Sequence, residues 1–101
     1  MAGHTELNSK ADFEAAVGTK GKYVLIYAYS GEVPAAAEAA AEKHASSTDA
    51  YKVDVEKHPA AKEYFKVSVT PTVVIFKDGT EIKKVEGVSE SNAAEVASVL
   101  V

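Results

Sequence analysis

A chain of 101 residues, 47% hydrophobic and 26% charged, has the make-up of one globular domain, and this length suffices for a stable core without metals or disulfides. Its net charge of −4, from 15 acidic against 11 basic residues, comes without a lysine cluster dense enough to hold a phosphate backbone, so nucleic acid is excluded as the expected partner. There is no cysteine, which rules out thiol–disulfide chemistry by these residues, since the thiolate is the nucleophile of that reaction.

The longest apolar stretch, Tyr23–Tyr29, is too short to cross a bilayer, and Met1-Ala2-Gly3-His4-Thr5-Glu6 lacks the charged-then-apolar start of a secretory signal. The expectation is a cytoplasmic protein that does not engage membranes.

Leu7 lies in a short opening segment, after which Asn8 or Ser9 caps a helix through Phe13, Ala16 and Val17 that Gly18 and Gly21 close. Asp12 sits near the start of that helix, where the dipole favours a carboxylate. Tyr23–Tyr29 is an unbroken apolar run rich in β-formers, as expected of a central strand covered on both faces. Pro34 then opens a helix predicted over 34 to 45 or 46. Its body, Ala35-Ala36-Ala37-Glu38-Ala39-Ala40-Ala41-Glu42, is almost all alanine, the strongest helix former. Glu38 and Glu42 are expected to share a solvated face, where like charges four residues apart disfavour the helix slightly.

Residues 50–55 read as a second buried strand, with Tyr51, Val53 and Val55 on one face and Lys52 and Asp54 on the other. A short helix over 58–65 follows, with Pro59 near its start, and then a loop over 67–72 leading into a strand over 73–77. Asp78-Gly79 signals a hairpin to a strand over 80–86. Gly87 interrupts, residues 89–92 cap a last helix, and Ala93, Val96, Ala97 and Leu100 fall at helical spacing. The order is β-α-β-α-β-α-β-β-α. Strands joined through helices are expected to pair in parallel, with the terminal hairpin adding an antiparallel edge. The predicted fold class is α/β, a three-layer α/β/α sandwich on a mixed sheet.

That order, together with four local matches, resembles the thioredoxin family over essentially the whole chain. Tyr23–Tyr29 is similar to its central strand, and Val53-Asp54-Val55 with Pro59 to its third strand and the helix after it. Val69-Thr70-Pro71-Thr72, then an apolar strand, Lys77-Asp78-Gly79 and Gly87, resemble its cis-proline loop, hairpin and glycine. The turn Ser30-Gly31-Glu32-Val33-Pro34-Ala35 falls where the family carries Trp-Cys-Gly-Pro-Cys. On this alignment Gly31 stands for the tryptophan, Glu32 for the nucleophilic cysteine, Val33 for the glycine and Ala35 for the resolving cysteine, with only Pro34 kept. Ile26 replaces a buried aspartate, while Lys52 keeps the position of that aspartate's lysine neighbour.

The resemblance implies a cis bond before Pro71, although only about 5–6% of X-Pro bonds in folded proteins are cis. It also implies that the backbone of Thr70 pairs with an extended stretch of a bound protein. Gly31, Val33, Pro34, Val55, Gly87 and Val88 would form a shallow apolar rim around Thr70 and Pro71. The other reading of Pro71 is that it only shapes the loop.

Glu32 admits two readings, a carboxylate that complements a helix N-terminus, or a general base assisted by Thr70, Ser30 or the hydroxyl of Tyr29. Lys52 is either a solvated strand residue or a partly buried amine without its usual acid. Ser30 and Ser68 have no histidine placed to activate them, and His4, His44 and His58 lie on separate elements without metal-ligand spacing. No cofactor and no metal is called for.

Three functions stay open. The first is a redox-inactive module that binds a protein or peptide partner, as a monomer or weak homodimer. The second is a small-molecule enzyme using Glu32. The third is a structural, self-associating domain.

Overall fold

Tyr23–Tyr29 (β2) supplies the floor for both helical layers in the computed structural model of the protein, which describes residues 5–31, 33, 35–44, 47–88 and 93–99. Successive strand residues point to opposite faces, so its alternate side chains enter two separate cores. Val24, Ile26 and Ala28 pack with Leu7, with Phe13 and Ala16 of the helix Lys10–Val17 (α1), and with Ala61 of the helix Pro59–Tyr64 (α3). Leu25, Tyr27 and Tyr29 pack on the other face with Ala37 of Ala35–Lys43 (α2) and with Val96 and Val99 of Ala93–Val99 (α4). The layers are those of the expected sandwich.

The remaining strands are Thr5–Glu6 (β1), Thr48–Asp54 (β3), Thr72–Lys77 (β4) and Thr80–Glu86 (β5), in the sheet order β1-β3-β2-β4-β5. β3 runs parallel to β2 in a register from Tyr23 opposite Thr48 to Tyr29 opposite Asp54, and β1 runs parallel to β3 with Glu6 opposite Lys52. β3 begins two residues earlier than the alternation suggests, because the start of β2 pairs with Thr48.

One expectation is corrected. β4, although it follows a helix, is antiparallel to β2, with Ala28 opposite Thr72. The six residues of α3 rise about 9 Å, whereas a seven-residue strand such as β3 runs about 23 Å. So short a helix cannot carry the chain back to the end from which β3 started. β4 therefore enters the sheet where β3 leaves it, and the loop between α3 and β4 stays at that end.

Local signals set the element ends. Ser9 Oγ accepts from the Asp12 N–H at 3.2 Å, and the Asp12 carboxylate accepts from the Asn8 N–H at 2.9 Å, a reciprocal cap of α1. Asp78 and Gly79 take φ of 53° and 83°, the left-handed pair of a two-residue hairpin between β4 and β5. A bulge after Ile75 lets Phe76 pair with Glu81, leaving Ile82 unmatched and 45% exposed. The helix α2 is assigned only to Lys43, while the predicted starting Pro34 and closing Ala45 and Ser46 lie outside the described residues. The same holds for the capping segment 89–92, for Leu100 and for the side chains of Ala93 and Ala97. Among the described residues no helix is long and apolar enough to cross a membrane.

Ile26 is fully buried, on the face covered by α1 and α3. Ile26→Asp should lower the unfolding free energy by at least about 3 kcal/mol, since the new charge has no partner there. Ile82→Asp, at the exposed bulge, should stay within about 0.5 kcal/mol. Urea denaturation of the two variants measures the difference.

Candidate functional site

The site occupies the end of the sheet where β2 stops and β4 starts. After Tyr29 the chain leaves the sheet through Ser30 and Gly31, whose φ of 92° suits a residue without a Cβ, and α2 begins at Ala35. The Val55 N–H donates to the Tyr29 carbonyl at 2.9 Å, holding the turn after β3 against this end. That turn is built on the Asp54 carboxylate, which accepts from the N–H groups of Glu56 at 2.9 Å and Lys57 at 3.3 Å.

From the other side, the Thr70–Pro71 bond is cis, as the resemblance implied. The Pro71 carbonyl accepts from the Val88 N–H at 2.8 Å, fastening the Gly87-Val88 segment to the loop. Thr72 Oγ1 donates to the Val69 carbonyl at 2.7 Å and closes the loop on itself. Thr70 is exposed. Among the described residues, nothing pairs with its backbone N–H or C=O.

Beside Thr70 runs a shallow, open groove of about 220 Å³. Val55, Val67 and Val69 supply its apolar part and Ser30, Ser68 and Thr70 its polar part, with Glu56 and Lys62 also on its wall. The predicted rim is thereby divided. Thr70 and Val55 line the groove, but Val55 is only 7% exposed and acts as a support rather than a rim. Val33 and Val88 turn to the opposite face, where they pack against the cluster of Leu25, Tyr27 and Tyr29. Pro71 is half-buried, and Gly31, Gly87 and Ala35 are exposed. Glu32, with the acid–base role considered for it, and Pro34 lie outside the described residues.

The sequence reading missed Val67, Val69, Glu56 and Lys62. A signal existed in Val67-Ser68-Val69-Thr70, which alternates like a strand. Reading it as plain loop hid that Val67 would be buried and Val69 left 46% exposed.

A second polar group lies under α2, and it corrects three expectations. Lys52 is neither solvated nor without an acid, since its Nζ meets the Glu38 carboxylate at 3.0 Å, with the two side chains 20% and 21% exposed. Glu38 consequently does not share a wet face with Glu42, which alone is exposed. Nor does Tyr29 reach the mouth of the site. It is buried, and its hydroxyl donates to the Glu6 carboxylate at 3.0 Å, across β3 at the sheet edge. Burial first, then that hydrogen bond and the charges of Glu6, Asp54 and Glu38, push the Tyr29 hydroxyl from its ordinary value of 10.0 to about 12. That hydroxyl is thus committed to Glu6 rather than to the turn after β2.

Two outcomes are expected. A double-mutant cycle with Lys52→Met and Glu38→Gln, read by denaturant unfolding, should give a coupling of about 1–2 kcal/mol, between the values of exposed and buried pairs. Since folding raises the Tyr29 pKa, the folded state binds that proton more tightly than the unfolded one. Its stabilising share is complete below pH about 10 and is lost as the pH rises towards about 12. Tyr29→Phe should flatten the fall in stability across that window.

Comparison with known proteins agrees with this fold. The thioredoxin family model matches residues 4–99. Thioredoxin from Chlamydia caviae is 38% identical over 52 residues, 52% of this chain and 51% of that protein. Thioredoxin from Staphylococcus aureus is 35% identical over 60 residues, 58% of each chain. The chain thus spans about half the length of the curated relatives it matches. Among solved structures, Fasciola hepatica thioredoxin superposes with a TM-score of 0.81 at 24% identity, over 96% of this chain and 99% of that one. Malassezia sympodialis thioredoxin does so with 0.80 at 21% identity, over 98% and 91%. At such identities the structures speak to the fold alone, whereas the family model covers nearly the entire sequence. The chain belongs to the thioredoxin family, as a member that contains no cysteine.

Proposed function

We propose that this protein is a redox-inactive binding module, which captures an extended segment of another protein along the loop 67–71 without forming a covalent bond to it. The observation that carries this reading is the exposed Thr70, whose backbone donor and acceptor have no partner among the described residues and stand beside a shallow groove. Unpaired backbone groups on an exposed segment are a template for strand addition, in which main-chain hydrogen bonds provide affinity and side-chain pockets provide selectivity. The curated relatives are thioredoxins by name, and with no cysteine in this chain non-covalent capture is the part of such a site that its residues can still perform. The open shape of the groove favours a polypeptide over a small molecule, which is ordinarily held in an enclosed pocket.

The immobilised protein should retain a set of partners that is lost with Thr70→Pro, which removes the N–H donor. Val69→Asp, which places a charge at an exposed position on the groove, should lose the same set. Thermal melts verify that each variant is folded. Identical partner sets from all three proteins would refute the reading.

A further inference from the structure

We infer that α2 is a latched flap, which swings away from the sheet as a unit while the rest of the sandwich stays folded. The latch is the Glu38–Lys52 pair, and Glu6 takes over the Lys52 ammonium when the flap is open. Neither the flap nor its latch depends on strand capture at Thr70.

The helices are anchored unequally. α1 inserts Phe13 and Ala16 into the core at 1% and 2% exposure, with Val17 packed beside them. α2, in contrast, has no apolar side chain larger than a methyl group. Of its described residues Ala41 is buried and Ala37 half-buried, while Ala35 and Ala39 are exposed. Apolar burial stabilises in proportion to area, so parting α2 from the sheet forfeits far less than parting α1. The surface beneath it also tolerates the change. Leu25, Tyr27 and Tyr29 keep the cover of Val96 and Val99 from α4, and the two tyrosines carry hydroxyls that water can solvate.

The ends of α2 suit such a motion. The chain approaches it through Gly31, which is exposed at φ 92° with open space where a Cβ would stand. It leaves through a fixed turn, in which the His44 carbonyl accepts from the N–H groups of Ser47 at 3.1 Å and Thr48 at 2.9 Å. The helix is thus fastened near its C-terminal end and pivots there.

The ion pair supplies the hold that the methyl groups do not. Glu38 lies in the first turn of α2, towards the free end, and meets Lys52 Nζ at 3.0 Å with both side chains half-buried. Other charged groups surround that lysine. Asp54, further along β3, is turned to the N–H groups of Glu56 and Lys57, and Glu42 and Lys43 of α2 are exposed. Glu6 of β1 stands opposite Lys52 in the parallel register and accepts from the Tyr29 hydroxyl at 3.0 Å. Residues opposite one another in adjacent strands project to the same face, so Glu6 is the acid within a swing of Lys52 once Glu38 departs. An ammonium left half-buried without an acid would oppose opening. A second acceptor removes that penalty, and Lys52 then has one acid on the flap and one on the sheet edge, the two positions of a latch.

Because the chain has no cysteine, a single introduced thiol reports opening without background. Ala41→Cys places it beneath α2 and Ala16→Cys beneath α1, both at buried positions. With iodoacetamide, at concentrations where reclosing outpaces labelling, the rate measures the open fraction. Ala41→Cys should be labelled about tenfold or more faster than Ala16→Cys. Adding Glu38→Gln should raise the rate at residue 41 by about five- to thirtyfold, whereas Glu42→Gln should leave it unchanged. Adding Glu6→Gln, which preserves an acceptor for the Tyr29 hydroxyl but removes the charge, should lower it by about two- to fivefold. Equal labelling of the two thiols would overturn the flap. A rate unmoved by Glu38→Gln would overturn the latch, and one unchanged or raised by Glu6→Gln would overturn the transfer of Lys52. Hydrogen exchange on the unaltered chain guards against any disturbance by the new thiol. The N–H groups of residues 39–43 should exchange together, faster than those of β2 and with little dependence on dilute urea. Exchange in step with β2 would again overturn the flap.

Discussion

Burial of the central strand on both faces is the constraint on which the remaining structure depends. Six of its seven residues are buried, and each aliphatic side chain so placed contributes about 1.5–3 kcal/mol. Because the side chains alternate, α1 and α3 share one set and α2 and α4 the other. Removing bulk from either set would undermine a whole layer of the sandwich. The same strand delivers Ser30 and Gly31 to the end of the sheet and pairs there with both neighbours, so the rigidity of the site derives from the core rather than from the loops that form it.

The polar groups show how a site of this family is arranged when it has no redox work. Ile26 is an apolar residue in an apolar cluster, which removes any need for a buried acid beneath the turn. Lys52 lies on the other face and is matched by Glu38 from α2. That pairing has a physical purpose. A helix made almost entirely of alanine forms readily but has little side chain to bury, and of its described residues only Ala41 is fully buried while Ala37 is half-buried. A half-buried ion pair to β3 adds the directional attachment that alanine cannot supply, and the Tyr29 hydroxyl in turn links β2 to Glu6 on the short edge strand.

Short-range physics made much of the fold legible from the residues. The apolar run of β2, the alternation of Tyr51, Lys52, Val53 and Asp54, the cap at Ser9 and the turn at Asp78-Gly79 each depend on interactions between residues a few positions apart, and each stands where the pattern placed it. The resemblance extended that legibility to the cis peptide before Pro71 and to the exposure of Thr70.

What the residues alone did not determine arises from distance along the chain. The antiparallel entry of β4 follows from the length of α3 relative to the strand it follows. The pairing of Lys52 with Glu38 joins positions fourteen apart, through the way α2 lies over β3. The groove joins the end of β2, the turn after β3, α3 and the loop before β4. The sequence by itself determined the layers, the central strand and the absence of thiol chemistry, because these are matters of composition and local periodicity. Only the tertiary structure decided which valines line the groove and which support it, and which acid serves Lys52, because those depend on side chains from separate elements that meet only when the sheet is assembled.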